Sequence, residues 1–271
     1  MYNAEFFGTF DVTALILTAF TLFFFGLIIY LRREDRREGY PIESDETGRL
    51  EPAAGLLFAA QPKTFRQAFG QGDVSKPDGQ RESVELKASR RSNVSGTPYH
   101  PVGDPMLSGV GPGAYAQRAK TPDLTDHGVP KIVPLRGAAG YFLDNRDPDP
   151  RGMTVLGVDG KAAGVVTDVW IDRGEFLVRY LEVELASVTP SAGLSVVGSQ
   201  APGRKVLLPM TMAVVRRSGV VKTDAILSTQ FADVPGIEQA DIITRDEEER
   251  VTAYYGAGYL YATPARMEPL L

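Results

Sequence analysis

The chain of 271 residues carries two histidines, His100 and His127, and no cysteine. Disulfides, thiolate metal sites and cysteine nucleophiles are thereby excluded, and two histidines are too few for a multi-histidine zinc or iron site. His127 stands in "DLTDHGVPK", a proline-flanked loop in which Asp126 is its neighbour. Asp172 and Glu175 stand in "DVWIDRGE" on either side of Gly174, which reads as a hairpin turn. Imidazole and carboxyl groups move protons near neutral pH when their environment tunes them. Read from their neighbours alone, these are an exposed loop histidine and two turn acids. Trp170 reads as a core or interface anchor, and Arg179 in "VRYLEVEL" as a partner for a nearby acid. Neither G-x-S-x-G nor H-E-x-x-H occurs, and "GDPMLSGVGPGAYAQR" lacks the spacing of a phosphate loop. A formal charge of −5 argues against a general nucleic-acid binder.

The elements that must position these residues divide sharply. Mean hydropathy is an unremarkable −0.12, yet "VTALILTAFTLFFFGLIIYL", Val12 to Leu31, contains no charge and no proline. As a helix it rises about 30 Å, the thickness of a bilayer core. A cleaved signal peptide carries its positive charge before the apolar run. Here Glu5 and Asp11 precede it, and Arg32, Arg33, Arg36 and Arg37 follow. The positive-inside bias therefore places the C-terminal bulk of the chain in the cytoplasm and the short N-terminus on the other side. Asp11 and Thr13 are positioned to cap the helix start. Thr21 and Gly26 are small positions suited to close helix packing. Beyond Leu31, "RREDRREGYP" interleaves acids with arginines at helical spacing, so the helix is expected to continue out of the membrane. Its Arg32, Arg33, Arg36, Arg37 and Tyr40 are the candidate lipid and interface residues. They serve either as a solvated continuation of the anchor or as contacts to anionic headgroups or a partner.

From Gly39 to about Met106, recurrent prolines and short polar runs predict loop, with "VELKAS" as one short strand. From Lys131 onward the pattern is β. "VDGK" marks a tight turn. "GVVTDVWID" alternates imperfectly, and "FLVRYLEVEL", "RKVLLPMTMAVV" and "VVKTDAI" are further short strands, as in a small barrel or sandwich. One helix is predicted near the end, capped by Thr244 with Glu247 three residues on and stopping near Gly256.

The blocks "LFFFGLIIYLRREDRREGYP", "GDPMLSGVGPGAY", "DVWIDRGEFLVRYLEVEL", "VLLPMTMA" and "AYYGAGYLYATP" occur in this order along nearly the whole chain. Together they resemble the H subunit of the purple-bacterial photosynthetic reaction centre. The strand block from about Gly157 to Ala225 is similar to a PRC-barrel domain. The resemblance implies a single N-terminal transmembrane α-helix plus a mainly β cytoplasmic domain, a small PRC-type barrel, with a short C-terminal helix. It implies a division into 1–11 as periplasmic N-terminus, 12–31 as transmembrane helix, 32–105 as an extended segment on partner subunits, 106–244 as barrel domain, and 245–271 as helix and tail. The implied location is the bacterial photosynthetic (chromatophore) inner membrane.

The function implied is that of a non-catalytic subunit that caps the L and M subunits, stabilises their quinone region and helps conduct protons to the secondary quinone. The cofactors implied are bacteriochlorophyll, bacteriopheophytin, quinones and non-haem iron, all held elsewhere in the complex and none by this chain. The partners implied are L and M, a cytochrome subunit, light-harvesting antenna and membrane lipid, with no nucleic acid. His127, Asp172 and Glu175 match the family's proton-uptake positions. The family pattern has a second histidine two residues after the first and an acid two before it. Val129 and Thr125 fill those places here, and Asp126 adjoins His127 instead. The competing reading is a membrane-tethered PRC-barrel module that binds protein or RNA; the net acidity and the crowding of arginine at the membrane end weigh against RNA.

Overall fold

The computed structural model describes residues 11–39, 42–44, 47, 49–51, 60–78, 87–185 and 203–267. The chain divides into two units, one of Met1–Val84 with Ser92–Thr97 and one of Glu85–Arg91 with Pro98–Leu271.

The first unit is built on α1, Val12–Glu34, followed by a 3-10 turn at Asp35–Arg37. Asp11 caps α1 by accepting from the Thr13 amide at 2.9 Å, which satisfies one of the free N–H groups of the first turn. Thr18 and Thr21 donate their hydroxyls to Ala14 and Leu17 carbonyls one turn back, so the apolar stretch presents no unpaired hydroxyl from either threonine. Among the described residues α1 is the one helix long and apolar enough to cross a membrane. Two short antiparallel pairs follow: β1 (Ile42–Glu43) with β2 (Leu50–Glu51), and β3 (Lys63–Arg66) with β4 (Asp73–Lys76). In the second unit β5 (Ala88–Arg90) pairs with β6 (Tyr99–Pro101). Among the described residues between Gly39 and Met106, the expected loop is interrupted by three small hairpins, and the strand expected at "VELKAS" is met in part by β5. Strands of two to four residues leave too little periodicity to separate them from loop.

The second unit holds a seven-stranded sheet: β7 (Ile132–Pro134), β8 (Thr154–Leu156), β9 (Ala162–Asp172), β10 (Leu177–Leu185), β11 (Lys205–Pro209), β12 (Val214–Arg216) and β13 (Val220–Lys222). The order is β11-β10-β9-β8-β13-β12, with β7 paired to the far end of β9. All neighbours are antiparallel except β8 and β13, which run parallel. β9 and β10 are long because one face of each packs inward and, past Asp168, both faces of β9 are covered. Val166, Val169, Trp170, Leu181 and Val183 are fully buried with Val155, Leu208, Val221, Ile226 and Phe231. Gly164 permits the crossing of β9 and β10, since a Cβ there would stand 2.2 Å from the Glu184 carbonyl oxygen.

The last helix, α2, spans Arg245–Tyr261. Thr244 Oγ1 accepts from the Glu247 amide at 3.3 Å and Glu247 Oε2 accepts from the Thr244 amide at 2.7 Å, the reciprocal capping box expected. The expected stop near Gly256 is corrected: the helix runs through Gly256 and Gly258. These glycines are packing positions. A Cβ on Gly258 would meet the Ala225 carbonyl oxygen at 2.4 Å, and one on Gly256 the Pro112 carbonyl oxygen at 3.2 Å. Tyr255 beside them stacks edge-on to Phe231 in the core.

Candidate functional site

β9 ends at Asp172, β10 begins at Leu177, and the residues between them make the turn. Asp172 organises it. Its Oδ1 accepts from the Gly174 and Glu175 amides at 2.9 Å each, a side-chain turn of the kind aspartate favours. Its carbonyl accepts from the Phe176 amide at 2.9 Å, and Phe176 takes a left-handed φ of 56°. The Asp172 side chain is 0% exposed.

Two cations approach the other carboxylate oxygen. Lys131 Nζ stands 3.4 Å from Asp172 Oδ2 and Arg179 Nε 3.5 Å from it. Lys131 arrives because the adjoining strand β7 pairs Ile132 with Asp172. The same ammonium reaches Glu175 Oε1 at 3.0 Å. Its hydrogen bond to Glu175 raises the Lys131 pKa against the opposing effect of burial, and the Asp172 charge adds to the rise. Lys131 therefore stays charged and stands between a half-exposed outer acid and a wholly buried inner one.

A third carboxyl lies behind this pair. Burial pushes Glu248 up, against a hydrogen bond from Tyr180 and the nearby Arg179 charge, while Asp123 and Asp172 add to the rise. Tyr180 Oη donates to Glu248 Oε2 at 3.2 Å, and burial raises the Tyr180 phenol as well.

His127 sits on a loop closed by the Thr125 amide donating to the Val129 carbonyl at 2.9 Å. Its Nε2 is 3.7 Å from Asp126 Oδ1, and both side chains are more than four-fifths exposed, at 83% and 84%. A cleft of about 720 Å³ is lined by this loop together with Lys131, Tyr141, Arg173, Gly174, Glu175 and Phe176. The structure thus brings His127 and Glu175 to one cleft, with Asp172 behind its wall. Among the described residues no group of three or more His, Asp or Glu is arranged to hold a metal ion.

The remaining candidates belong to the first unit. Arg32 pairs with Asp35 at 3.3 Å and Arg36 donates to the Arg32 carbonyl. Arg33 lies in the last turn of α1. Arg37 holds both oxygens of Glu34 at 2.8 and 2.7 Å. Tyr40 lies outside the described residues.

A second buried ionic cluster was not anticipated from sequence. Glu182, 3% exposed, accepts from Arg136, Thr167, Lys205 and Trp170 Nε1 at 2.8, 2.8, 2.7 and 3.2 Å. Burial pushes its carboxyl up, but these four donors outweigh that and bring it from 4.5 down to about 2. Arg136 also binds Asp168 at 3.0 Å and Asp241 at 2.6 Å. Every ion here has a partner, so the cluster is a structural knot joining β9, β10, β11 and the loop before α2.

Residues 4–137 match the family model described as photosynthetic reaction centre, H-chain N-terminal region, and residues 144–230 match that of the PRC-barrel domain. The chain belongs to the reaction-centre H-chain family. As an H chain it is a subunit associated with the L and M subunits of the reaction centre. The apolar α1 fits a single-pass membrane protein, and the mainly β second unit contains the PRC-barrel domain matched over residues 144–230.

Proposed function

We propose that this H chain caps the cytoplasmic face of L and M, steadies the quinone region and conducts protons toward the secondary quinone in the photosynthetic inner membrane. The chain itself holds no pigment, quinone or iron; these belong to the partner subunits, with a cytochrome subunit and antenna around them. Arg32, Arg33 and Arg36 meet lipid headgroups where α1 leaves the bilayer, Arg37 being turned inward onto Glu34 instead, and the N-terminus lies on the periplasmic side.

One observation carries the proton reading: Lys131 Nζ lies 3.0 Å from a half-exposed carboxylate and 3.4 Å from a fully buried one. Glu175 takes a proton at the cleft, where His127 gathers protons from solvent. When Glu175 is neutral, Lys131 is drawn to Asp172; when Asp172 takes the proton, the ammonium returns to Glu175. The cation compensates whichever acid is ionised, so neither buried step leaves an unpaired charge.

The test is Asp172→Asn with Glu175→Gln in the assembled reaction centre. Flash-induced proton uptake and proton-coupled reduction of the secondary quinone should slow by roughly 100-fold or more, while primary charge separation keeps its rate. Unaltered uptake in the double variant refutes the assignment.

A further inference from the structure

Where α1 ends, the first unit carries more than an anchor requires. Arg37 closes the helix end onto the β3–β4 hairpin: besides gripping Glu34, its guanidinium donates to the carbonyls of Gln61 and Lys76 at the hairpin base. Lys63 Nζ adds a contact of 3.9 Å to the same Glu34. Leu31 is the last residue of the apolar run, and Arg37 stands about 10 Å beyond it along the helix. A headgroup layer is about 5–8 Å deep on each side of the apolar core, so the hairpin base is held at its outer edge.

The hairpin has two unlike faces. Phe65 pairs across from Val74, and Lys63 from Lys76, on one face; Thr64, Arg66, Asp73 and Ser75 form the other. On the polar face the Thr64 and Ser75 hydroxyls bond each other at 2.7 Å. On the apolar face Lys63 lies over the Phe65 ring, 5.4 Å from its centroid, and Phe65 is 42% exposed. At the tip Phe69 is 56% exposed and holds a φ of 55°. That left-handed conformation is unfavourable for a non-glycine residue, an odd place for a bare phenyl ring unless the ring has a use. An isolated two-stranded hairpin is marginal in water and needs a surface to lie on. The surface continuous with this unit is the membrane that α1 crosses. Phenyl rings on the apolar face of an interfacial element sink toward the acyl boundary, and anionic headgroups answer Lys63 and Lys76 on the same face. Of the acids nearby, Glu34 is matched by Arg37, Asp35 by Arg32 and Asp78 by Lys76, and Asp73 lies on the opposite, polar face.

We propose that the 63–76 hairpin is a foot resting on anionic lipid headgroups, with Phe65 and Phe69 at the headgroup–acyl boundary and Lys63 on the phosphates. The proposal rests on the reading of α1 as a membrane span.

The chain has no cysteine, so single cysteines at Phe23, Phe65, Phe69 and Ser75 give unique spin-label sites in the full chain. The chain is placed in vesicles of phosphatidylglycerol with phosphatidylcholine, and in phosphatidylcholine alone. Labels at 65 and 69 should be shielded from an aqueous relaxant and exposed to oxygen in the anionic vesicles, while the label at 75 stays aqueous. Adding Lys63→Gln should lower the immersed-to-aqueous ratio at 65 about fivefold. Labels at 65 and 69 as aqueous as that at 75, with the label at 23 embedded, overturn the foot and leave the span intact. An aqueous label at 23 overturns the span and the foot together. Labels at 65 and 69 that become shielded only on assembly with L and M assign this face to protein and likewise overturn the proposal.

Discussion

Glu182→Gln is the perturbation whose size the structure sets most closely. The carboxylate accepts four donors, of which Trp170 is 0% exposed while Arg136 and Lys205 side chains are 40% and 49% exposed. Removing the charge leaves two cations that can turn to water, so the cost falls below the 3–5 kcal/mol of a broken pair in a closed core. The amide oxygen can still accept from Trp170 and Arg136, while its NH2 faces Thr167, whose hydroxyl can rotate to accept, and Lys205, which can swing out.

The carboxyl's fall from 4.5 to about 2 gives an independent figure of about 3 kcal/mol for the preference for the charged form. A loss of about 2–3 kcal/mol at pH 7 is expected. Because the folded pKa lies below the unfolded one, this stabilisation is complete above about pH 4.5 and is lost as pH falls toward 2. Trp170 is the only tryptophan and donates to Glu182 itself, so its fluorescence in detergent reports both the cluster and unfolding. Urea midpoints of the two proteins should differ most at pH 7 and converge near pH 2. Equal stability at pH 7, or a gap that persists at pH 2, refutes the argument.

Gly258→Ala should destabilise the second unit by roughly 2 kcal/mol or more, read as a lower urea midpoint of the Trp170 signal, because the new methyl would stand 2.4 Å from the Ala225 carbonyl oxygen. Thr244→Ala removes the hydroxyl of the capping box and should cost about 1 kcal/mol, with faster amide exchange confined to the first turn of α2.

The anchor and the α2 cap were plain in the chain because each is a local pattern. Val12–Leu31 is one unbroken apolar run, and Thr244 lies three residues from Glu247. The turn between β9 and β10 was legible from Gly174, and Arg179 as a partner for an acid from its charge. What Asp172 meets was not. Lys131 comes from a distant stretch and reaches it only through the β7–β9 register, and Glu248 meets Tyr180 beside it only through the packing of α2. The four donors around Glu182 were hidden for the same reason: "EVEL" alternates as a surface strand would, yet its first acid points at Trp170. The far end of α2 was misjudged because glycine usually stops a helix, whereas here the Ala225 backbone excludes a side chain at Gly258 and the Pro112 carbonyl crowds one at Gly256.

The parallel pairing of β8 with β13 constrains the order in which this chain can be assembled. β9, β10 and β11 are sequential antiparallel neighbours and can form as each leaves the ribosome, but β8 keeps a bare edge until β13 and the residues after it emerge. Its partner for that edge comes late in synthesis, when α1 is already available to the membrane. Any event that truncates translation after β11 would leave a tethered sheet with an unpaired strand, a species primed to pair with another copy held on the same membrane.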